Sequence, residues 1–171
     1  MLCKMNRARA RLLAGAKAAA FLIAFTGAVA SSALAQEREI GKVGSFTILK
    51  INENGKFNRC AASKNAGANM LRIAFSADRQ HYMSVPGVEG SGLSPMRIRF
   101  DAKPPITIVP NSANKNRASV ELDYPTVDRF MGAKRLEVSF AGQIYTWDLS
   151  GQSMEAVLRA VSNCTGKAVS G

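Results

Sequence analysis

Side chains that could carry out catalysis are few in this sequence, and a single histidine limits the schemes they can form. His81 is the only histidine among 171 residues, so every Ser-His-Asp or Cys-His arrangement would have to use it. Ser91 lies between glycines in Gly87–Gly92, but this segment has neither the spacing of a nucleophile elbow nor the Lys-Ser/Thr pair of a phosphate-binding loop. We therefore predict no catalytic residues and interpret Gly87–Gly92 as a flexible surface loop.

Acid–base chemistry by two carboxylates and metal binding do not depend on such a triad. Glu121 and Asp123 are two residues apart and are expected to share one face of a strand, but only their spacing in three dimensions would make them a hydrolytic pair. His81 and Met83 have the same spacing and could in principle hold copper. No second histidine supports that site. We predict no metal, no cofactor and no enzymatic activity, and an unrecognised hydrolase is the third-ranked hypothesis.

Two predicted strands carry side chains suited to binding. In the segment MRIRF, Arg97 and Arg99 alternate with apolar residues, which is the period of a half-buried strand. They form either a solvated strand face or a stripe that contacts anions. Tyr145 and Trp147 also share one strand face and are either part of the core or an exposed aromatic platform. These four side chains are the candidate surface for a ligand or partner.

The amino-terminal segment has the three parts of a secretory signal peptide. Basic residues precede the apolar run Ala18–Ala30, no acidic residue occurs before Glu37, and the small-residue site Ala33–Ala35 follows. The apolar run is shorter than the roughly 20 residues that a membrane-spanning helix needs. We predict that residues 1–35 are cleaved and that 36–171 form one domain in the periplasm or outside the cell. An uncleaved membrane anchor is the alternative.

Removal of the predicted signal lowers the positive charge of the chain. Of 23 basic and 12 acidic residues, the first 35 positions hold five basic and no acidic ones, which leaves a net charge of +6. The remaining basic residues are scattered, and Lys134-Arg135 is their only adjacent pair. Nucleic-acid-binding domains more often cluster their Lys and Arg residues. We expect no nucleic-acid partner, whereas attraction to an anionic lipid or glycan stays open.

Cysteine usage is consistent with export. Cys3 would leave with the signal, so that Cys60 and Cys164 remain. Two cysteines in an exported domain usually pair. Such a bridge closes a loop of about 100 residues and would stabilise the fold by about 4–5 kcal/mol. The alternative, a free catalytic thiol, would again need His81 as its partner.

Hydrophobic periodicity predicts a mainly β fold, an antiparallel sandwich or open barrel of about 8–9 short strands with one C-terminal amphipathic helix. Tight turns are expected at Asn52–Lys56, which contains Asn-Gly, and at Ala141-Gly142. The predicted strands are Ser45–Ile51, Phe57–Ala62, Met70–Phe75, His81–Val85, Met96–Phe100, Ile106–Val109, Ala118–Leu122, Leu136–Phe140 and Ile144–Leu149.

Three further segments complete this prediction. Gln36–Lys42 is interpreted as a frayed start of the domain, and Thr126–Met131 as one helical turn. Ser150-Gly151 offers a cap for the terminal helix. The apolar face of that helix follows helical spacing at Met154, Val157, Leu158 and Val161.

Several short segments resemble the start of small exported bacterial proteins of the invasion-associated locus B type, and the match is partial. They are Gly44-Ser45-Phe46-Thr47-Ile48, Cys60-Ala61-Ala62 and Met70-Leu71-Arg72-Ile73. The ending, from Asp148-Leu149-Ser150-Gly151 through the helix to Cys164, resembles exported two-cysteine proteins of similar size. The resemblance implies an envelope or secreted protein connected with host or surface interaction, and it supplies no catalytic residue.

The sequence thus predicts a non-enzymatic periplasmic or secreted interaction module whose partner is another protein. A host factor, an envelope protein or a hydrolase that this module inhibits would fit a disulfide-tied β scaffold, although a scaffold of this kind does not specify its partner. The alternative is a binder of an anionic envelope component that uses the face of Arg97 and Arg99.

Overall fold

Alternating apolar and polar side chains build two antiparallel β-sheets around one core. The computed structural model describes residues 35–65 and 67–170, so the predicted signal peptide lies outside the described residues except for its last position. Within the described part, eleven strands form an open arrangement that does not close into a barrel, and a helix ends the chain. This confirms the predicted fold class.

The elements follow one another as β1 Gln36–Val43, β2 Phe46–Glu53, β3 Lys56–Lys64, a 3-10 turn Gly67–Asn69, β4 Leu71–Ser76, β5 His81–Pro86, β6 Met96–Phe100, β7 Ile106–Ile108, β8 Ser112–Ala113, β9 Arg117–Leu122, α1 Tyr124–Gly132, β10 Arg135–Phe140, β11 Gln143–Asp148 and α2 Met154–Val169. The larger, seven-stranded sheet has the order β1-β2-β3-β4-β5-β9-β8. The smaller, four-stranded sheet has the order β11-β10-β6-β7.

The inner faces of both sheets and one face of α2 share a single hydrophobic core. Its large members include Phe46, Ile98, Phe140 and Trp147, each almost fully removed from solvent. A second, small apolar group lies on the outer face of the seven-stranded sheet and contains Ile51. Each sheet therefore has one face committed to the shared core.

The strand count and the start of the domain differ from the sequence prediction. Gln36–Lys42 is not frayed; it belongs to β1, which pairs antiparallel with β2 from Gln36 opposite Asn52 to Val43 opposite Phe46. The residues of β1 are almost all exposed, so hydrophobic alternation could not reveal this strand. The two-residue strand β8 was missed as well because it is too short to show a period.

Both predicted tight turns are present. Asn54 and Gly55 have positive φ values of 54° and 74°, and Ala141 and Gly142 have 46° and 78°. Two successive residues of positive φ match the right-handed twist of a hairpin. Asparagine and glycine adopt this region readily, whereas Ala141 does so against its steric preference.

The two helices start at capping residues. The cap of α2 is Ser153 and not Ser150-Gly151, since the Ser153 hydroxyl accepts a hydrogen bond from the Ala156 amide at 3.1 Å. In α1, which is longer than the predicted Thr126–Met131, the Asp123 carboxylate accepts from the Thr126 amide at 2.9 Å.

Cys164 on α2 forms a disulfide with Cys60 on β3, as predicted, with the two Cα atoms 6.0 Å apart. The bridge joins the terminal helix to the larger sheet. Thr165 lies against the same sheet, with its hydroxyl shared between the carbonyl of Val161 at 3.0 Å and that of Phe75 at 3.2 Å. In the part of the chain that is described, no helix has the length and apolar character needed to cross a bilayer.

Candidate functional site

The outer face of the four-stranded sheet presents the predicted arginine pair. Arg97 and Arg99 are exposed on β6 because the residues between and beside them turn into the core. Backbone pairing places Arg97 beside Ser139 of β10, and Ser139 in turn beside Ile144 of β11. We call this surface the outer sheet face; it comprises Arg97, Arg99, Arg135, Glu137, Ser139, Ile144 and Thr146.

Charge on the outer sheet face is partly paired. The Glu137 carboxylate lies 3.6 Å from the guanidinium groups of both Arg99 and Arg135. Exposed pairs of this kind contribute little to folding stability. Arg97 has no ion-pair partner among the described residues, and the Ile144 side chain, in the same cross-strand row, is 69% exposed. The face thus offers an unpaired guanidinium together with an accessible apolar group.

The predicted aromatic pair lies on the opposite, inner face of the same sheet. Tyr145 and Trp147 do share a strand face, with their rings stacked 6.0 Å apart at an angle of 22°. Trp147 is only 1% exposed, and its indole N–H donates to the carbonyl of Asn69 at 2.9 Å. Tyr145 is half-buried, and burial raises the pKa of its phenol. The core alternative therefore applies to Trp147, and the structure does not bring the four candidate residues onto one surface.

His81, the first residue of β5, is held between aromatic rings. Its imidazole meets Phe75 edge-on with the ring centroids 4.3 Å apart, and Tyr124 at 5.2 Å. These residues line a cleft of about 480 Å³ beside the end of α2. Burial lowers the pKa of His81, and the nearby charge of Glu121 opposes this effect more weakly.

The structure also locates the carboxylates and metal-ligand types considered from sequence. Asp123 does not share a strand face with Glu121, because β9 ends at Leu122 and Asp123 caps α1. Hydrogen bonds from Thr126 lower the pKa of the Asp123 carboxyl. Met83 is fully buried in the core. Across residues 35–65 and 67–170, no group of three His, Cys, Asp or Glu side chains has the arrangement of a metal site.

Gly87–Gly92 lies in the loop between β5 and β6, as predicted, but the first glycine of this loop is held closely. A Cβ atom on Gly87 would lie 1.8 Å from the carbonyl oxygen of Asn114 and 2.5 Å from the amide nitrogen of Arg117. Only glycine permits this approach to the turn between β8 and β9. Gly87 thus has a packing role that its loop composition did not indicate.

Sequence reasoning missed a polar group on the outer face of the seven-stranded sheet. Arg59, Arg72 and Arg117 come from β3, β4 and β9 and line the same concavity. Each one alternates with core residues of its own strand, for example Arg72 between Leu71 and Ile73. This alternation was the sequence signal that could have indicated the three arginines. The spacing of residues along the chain does not show which strands are neighbours in the sheet.

Comparison with known proteins adds information about the fold. No family model matches the chain, and no curated protein matches it. Among solved structures, the chain is similar to the crystal structure of invasion associated protein B from Bartonella henselae, with a TM-score of 0.50 and 14% sequence identity. The match covers 78% of this chain and 98% of that chain. At this identity the likeness establishes a similar fold, and it agrees in part with the resemblance noted in the sequence.

Proposed function

We propose that this chain is an exported, non-enzymatic binding module that contacts a protein partner through the outer sheet face. The single observation that carries the proposal is the row in which the unpaired guanidinium of Arg97 shares a face with the exposed side chain of Ile144. Arginine is enriched at protein interfaces, where its apolar stem packs and its head group forms directed hydrogen bonds. A partner surface with a carboxylate beside an apolar patch would complement this row.

Export is supported by the signal-like residues 1–35 and by the disulfide between Cys60 and Cys164. Disulfides persist in the periplasm and outside the cell, where the environment is oxidising. We propose that the protein has no catalytic activity because the side chains that could support catalysis have other contacts. The single histidine packs edge-on between Phe75 and Tyr124, and Asp123 is used as a helix cap.

The test is an affinity capture that uses the oxidised protein, purified after export, as bait. The bait is offered an extract of the cell envelope and, separately, proteins from host body fluids. One variant, Arg97→Glu/Ile144→Ser, changes the outer sheet face. A matched control, Lys167→Glu/Val169→Ser, changes one exposed basic and one exposed apolar residue at the end of α2. We expect the wild type and the control to retain one partner at physiological salt. The outer-face variant should bind the same partner at least tenfold more weakly.

Three outcomes would contradict this proposal or part of it. Equal capture by the outer-face variant would place the interface elsewhere on the molecule. A ligand lost between low and physiological salt would instead favour the alternative, an anionic lipid or glycan attracted to Arg97 and Arg99, because contacts between exposed charges are screened over about 8–10 Å. Turnover of a substrate by the purified protein would refute the non-enzymatic part.

A further inference from the structure

The outer face of the seven-stranded sheet gathers three arginines around two serine hydroxyls. Arg72 on β4 lies opposite Ser84 on β5, which lies opposite Ser119 on β9, so these three residues form one cross-strand row. Arg59 and Arg117 complete the group from β3 and β9. All five line one concavity of about 400 Å³, which we call the arginine basin.

Two of the three guanidinium groups already have carboxylate partners. Arg72 holds Glu37 of β1 through two hydrogen bonds of 2.6 and 3.0 Å, and Arg59 donates to Glu53 at 2.8 Å. Arg117 has no ion pair or side-chain hydrogen bond within residues 35–65 and 67–170. Burial lowers the pKa of Arg117, and the positive charges of Arg72 and Arg59 lower it further, against weaker opposition from Glu37 and Glu53.

A second observation is independent of this charge balance. Arg72 is only 8% exposed, and its Nε–H group is buried with no hydrogen-bond partner among the described residues. Buried donors without partners are rare and destabilising in folded proteins. The hydroxyls of Ser84 and Ser119 lie 2.7 Å apart, so one donates to the other and the second proton is free for another acceptor. The basin therefore holds one unused hydroxyl donor as well as an unpaired cation, and the buried Arg72 adds positive charge beside them.

We propose that the arginine basin binds the oxyanion group of a phosphate or sulfate monoester. Guanidinium groups recognise such oxyanions through paired, charge-assisted hydrogen bonds. Arg117 supplies the unpaired charge, a serine hydroxyl supplies a further donor, and the buried guanidinium of Arg72 adds positive charge. This site does not depend on the proposed function, since it lies on the other sheet.

The basin also has room for the group that carries the oxyanion. A volume of about 400 Å³ is within the range of pockets that bind small molecules and exceeds the size of a single phosphate. Ala74 and Tyr82 provide an apolar wall on one side. Arg72 and Arg117 also border a second, more open depression that Tyr145 lines, so that a carrier group could extend toward this aromatic ring. Glu53 and Asp78 line the basin as well. Their charge opposes any anion, so the oxyanion must lie beside Arg117, the arginine without a carboxylate partner.

The test is a titration of the oxidised protein, purified after export, with phenyl phosphate and with inorganic phosphate at constant ionic strength set by chloride. Backbone amide NMR shifts report the site directly. We expect saturable shifts at Arg72, Ser84 and Ser119, and tighter binding of the ester than of inorganic phosphate. Arg117→Gln should weaken the ester by roughly 10- to 100-fold, the effect of losing hydrogen bonds from a charged donor. Arg129→Gln, at an exposed arginine of α1, is the matched control and should leave the affinity unchanged.

The same titration can overturn the proposal. Absence of saturable shifts at tens of millimolar ester would refute the site. Equal weakening by Arg117→Gln and Arg129→Gln would show that only the overall charge matters. Equal affinity for inorganic phosphate and for the ester would refute recognition of the organic group that carries the oxyanion. Because Arg117 forms no ion pair in the described part of the chain, Arg117→Gln is expected to fold, and its melting temperature checks this.

Discussion

Removal of the disulfide is the most direct test of how this fold is held together. Cys60 lies in the middle of the seven-stranded sheet and Cys164 near the end of α2, 104 residues apart in sequence. Both are buried in the shared core. The double variant Cys60→Ala/Cys164→Ala removes the covalent link while keeping an apolar side chain at each position.

The expected loss follows from the length of the loop that the bridge closes. In the chain-entropy model, a crosslink over about 100 residues stabilises the folded state by about 4.7 kcal/mol. Domains of this size are commonly stable by only about 5–15 kcal/mol. With a urea m-value of about 2 kcal/mol per molar, the midpoint of unfolding should fall by about 2 M.

Trp147 provides the assay, because it is the only tryptophan in the chain and is almost fully buried. Its fluorescence should change when the core opens. Reduction of the wild type should lower the midpoint nearly as far as the double variant does, while the reductant should leave the variant unchanged. The difference between the reduced wild type and the variant measures the packing of the two sulfur atoms.

Two results would refute this reasoning. A midpoint shift below about 0.5 M would show that the crosslink contributes much less than the loop length implies, as residual structure in the unfolded chain can cause. Two thiols that react in the folded, oxidised protein would show that Cys60 and Cys164 are not bonded.

Three further predictions concern pH, capping and close packing. Because burial lowers the pKa of His81, the unfolded chain takes up a proton more readily than the folded chain does. The stability of the fold should therefore be full above about pH 6.5 and decline as the pH falls below it. Urea midpoints measured from pH 7.5 to 5.5 should show this decline, and His81→Gln should flatten the profile. Asp123→Ala removes the cap of α1 and should cost about 1 kcal/mol at pH 7 by urea unfolding. This difference should shrink at low pH, because the part of the stabilisation that follows from the lowered carboxyl pKa is present only while the group is charged. A difference at pH 2 as large as that at pH 7 would contradict the contribution of the charge. Gly87→Ala should cost about 1–3 kcal/mol by thermal unfolding, since its methyl group meets the backbone between β8 and β9, whereas Gly132→Ala meets no atom within 4 Å and should be near neutral.

The parts of the fold that could be predicted are those in which burial leaves a period in the sequence. MRIRF in β6 and the segment Arg135–Phe140 alternate strictly, and both form strands with one buried face. Strand β1 could not be found in this way because its contribution is made by backbone pairing and by the contact of Glu37 with Arg72. Hydrophobic patterning does not register either interaction.

The candidate sites were harder to predict because alternation shows which residues of one strand share a face, but it does not show which residues of different strands share a face. Arg97 and Trp147 were placed correctly within their own strands, yet they lie on opposite faces of the four-stranded sheet. The arginine basin needs β5 to pair with β9, which passes over β6 and β7 of the other sheet and the short edge strand β8. Such a crossover brings Arg72 and Arg117 together although 45 positions separate them in sequence.

The two proposed surfaces should act independently. The outer sheet face and the arginine basin lie on opposite sides of one core, and packed sheets are about 10 Å apart. Substitutions farther apart than about 7–10 Å that share no partner usually have additive effects. In the double variant, Arg97→Glu should lower partner capture, and Arg117→Gln should lower ester affinity, by the same factors as in the single variants. Partner capture is measured with the ester at saturation, and ester affinity with the partner at saturation. A departure of threefold or more would mean that the core between the sheets transmits a change, and the sandwich would then have to be treated as one coupled site.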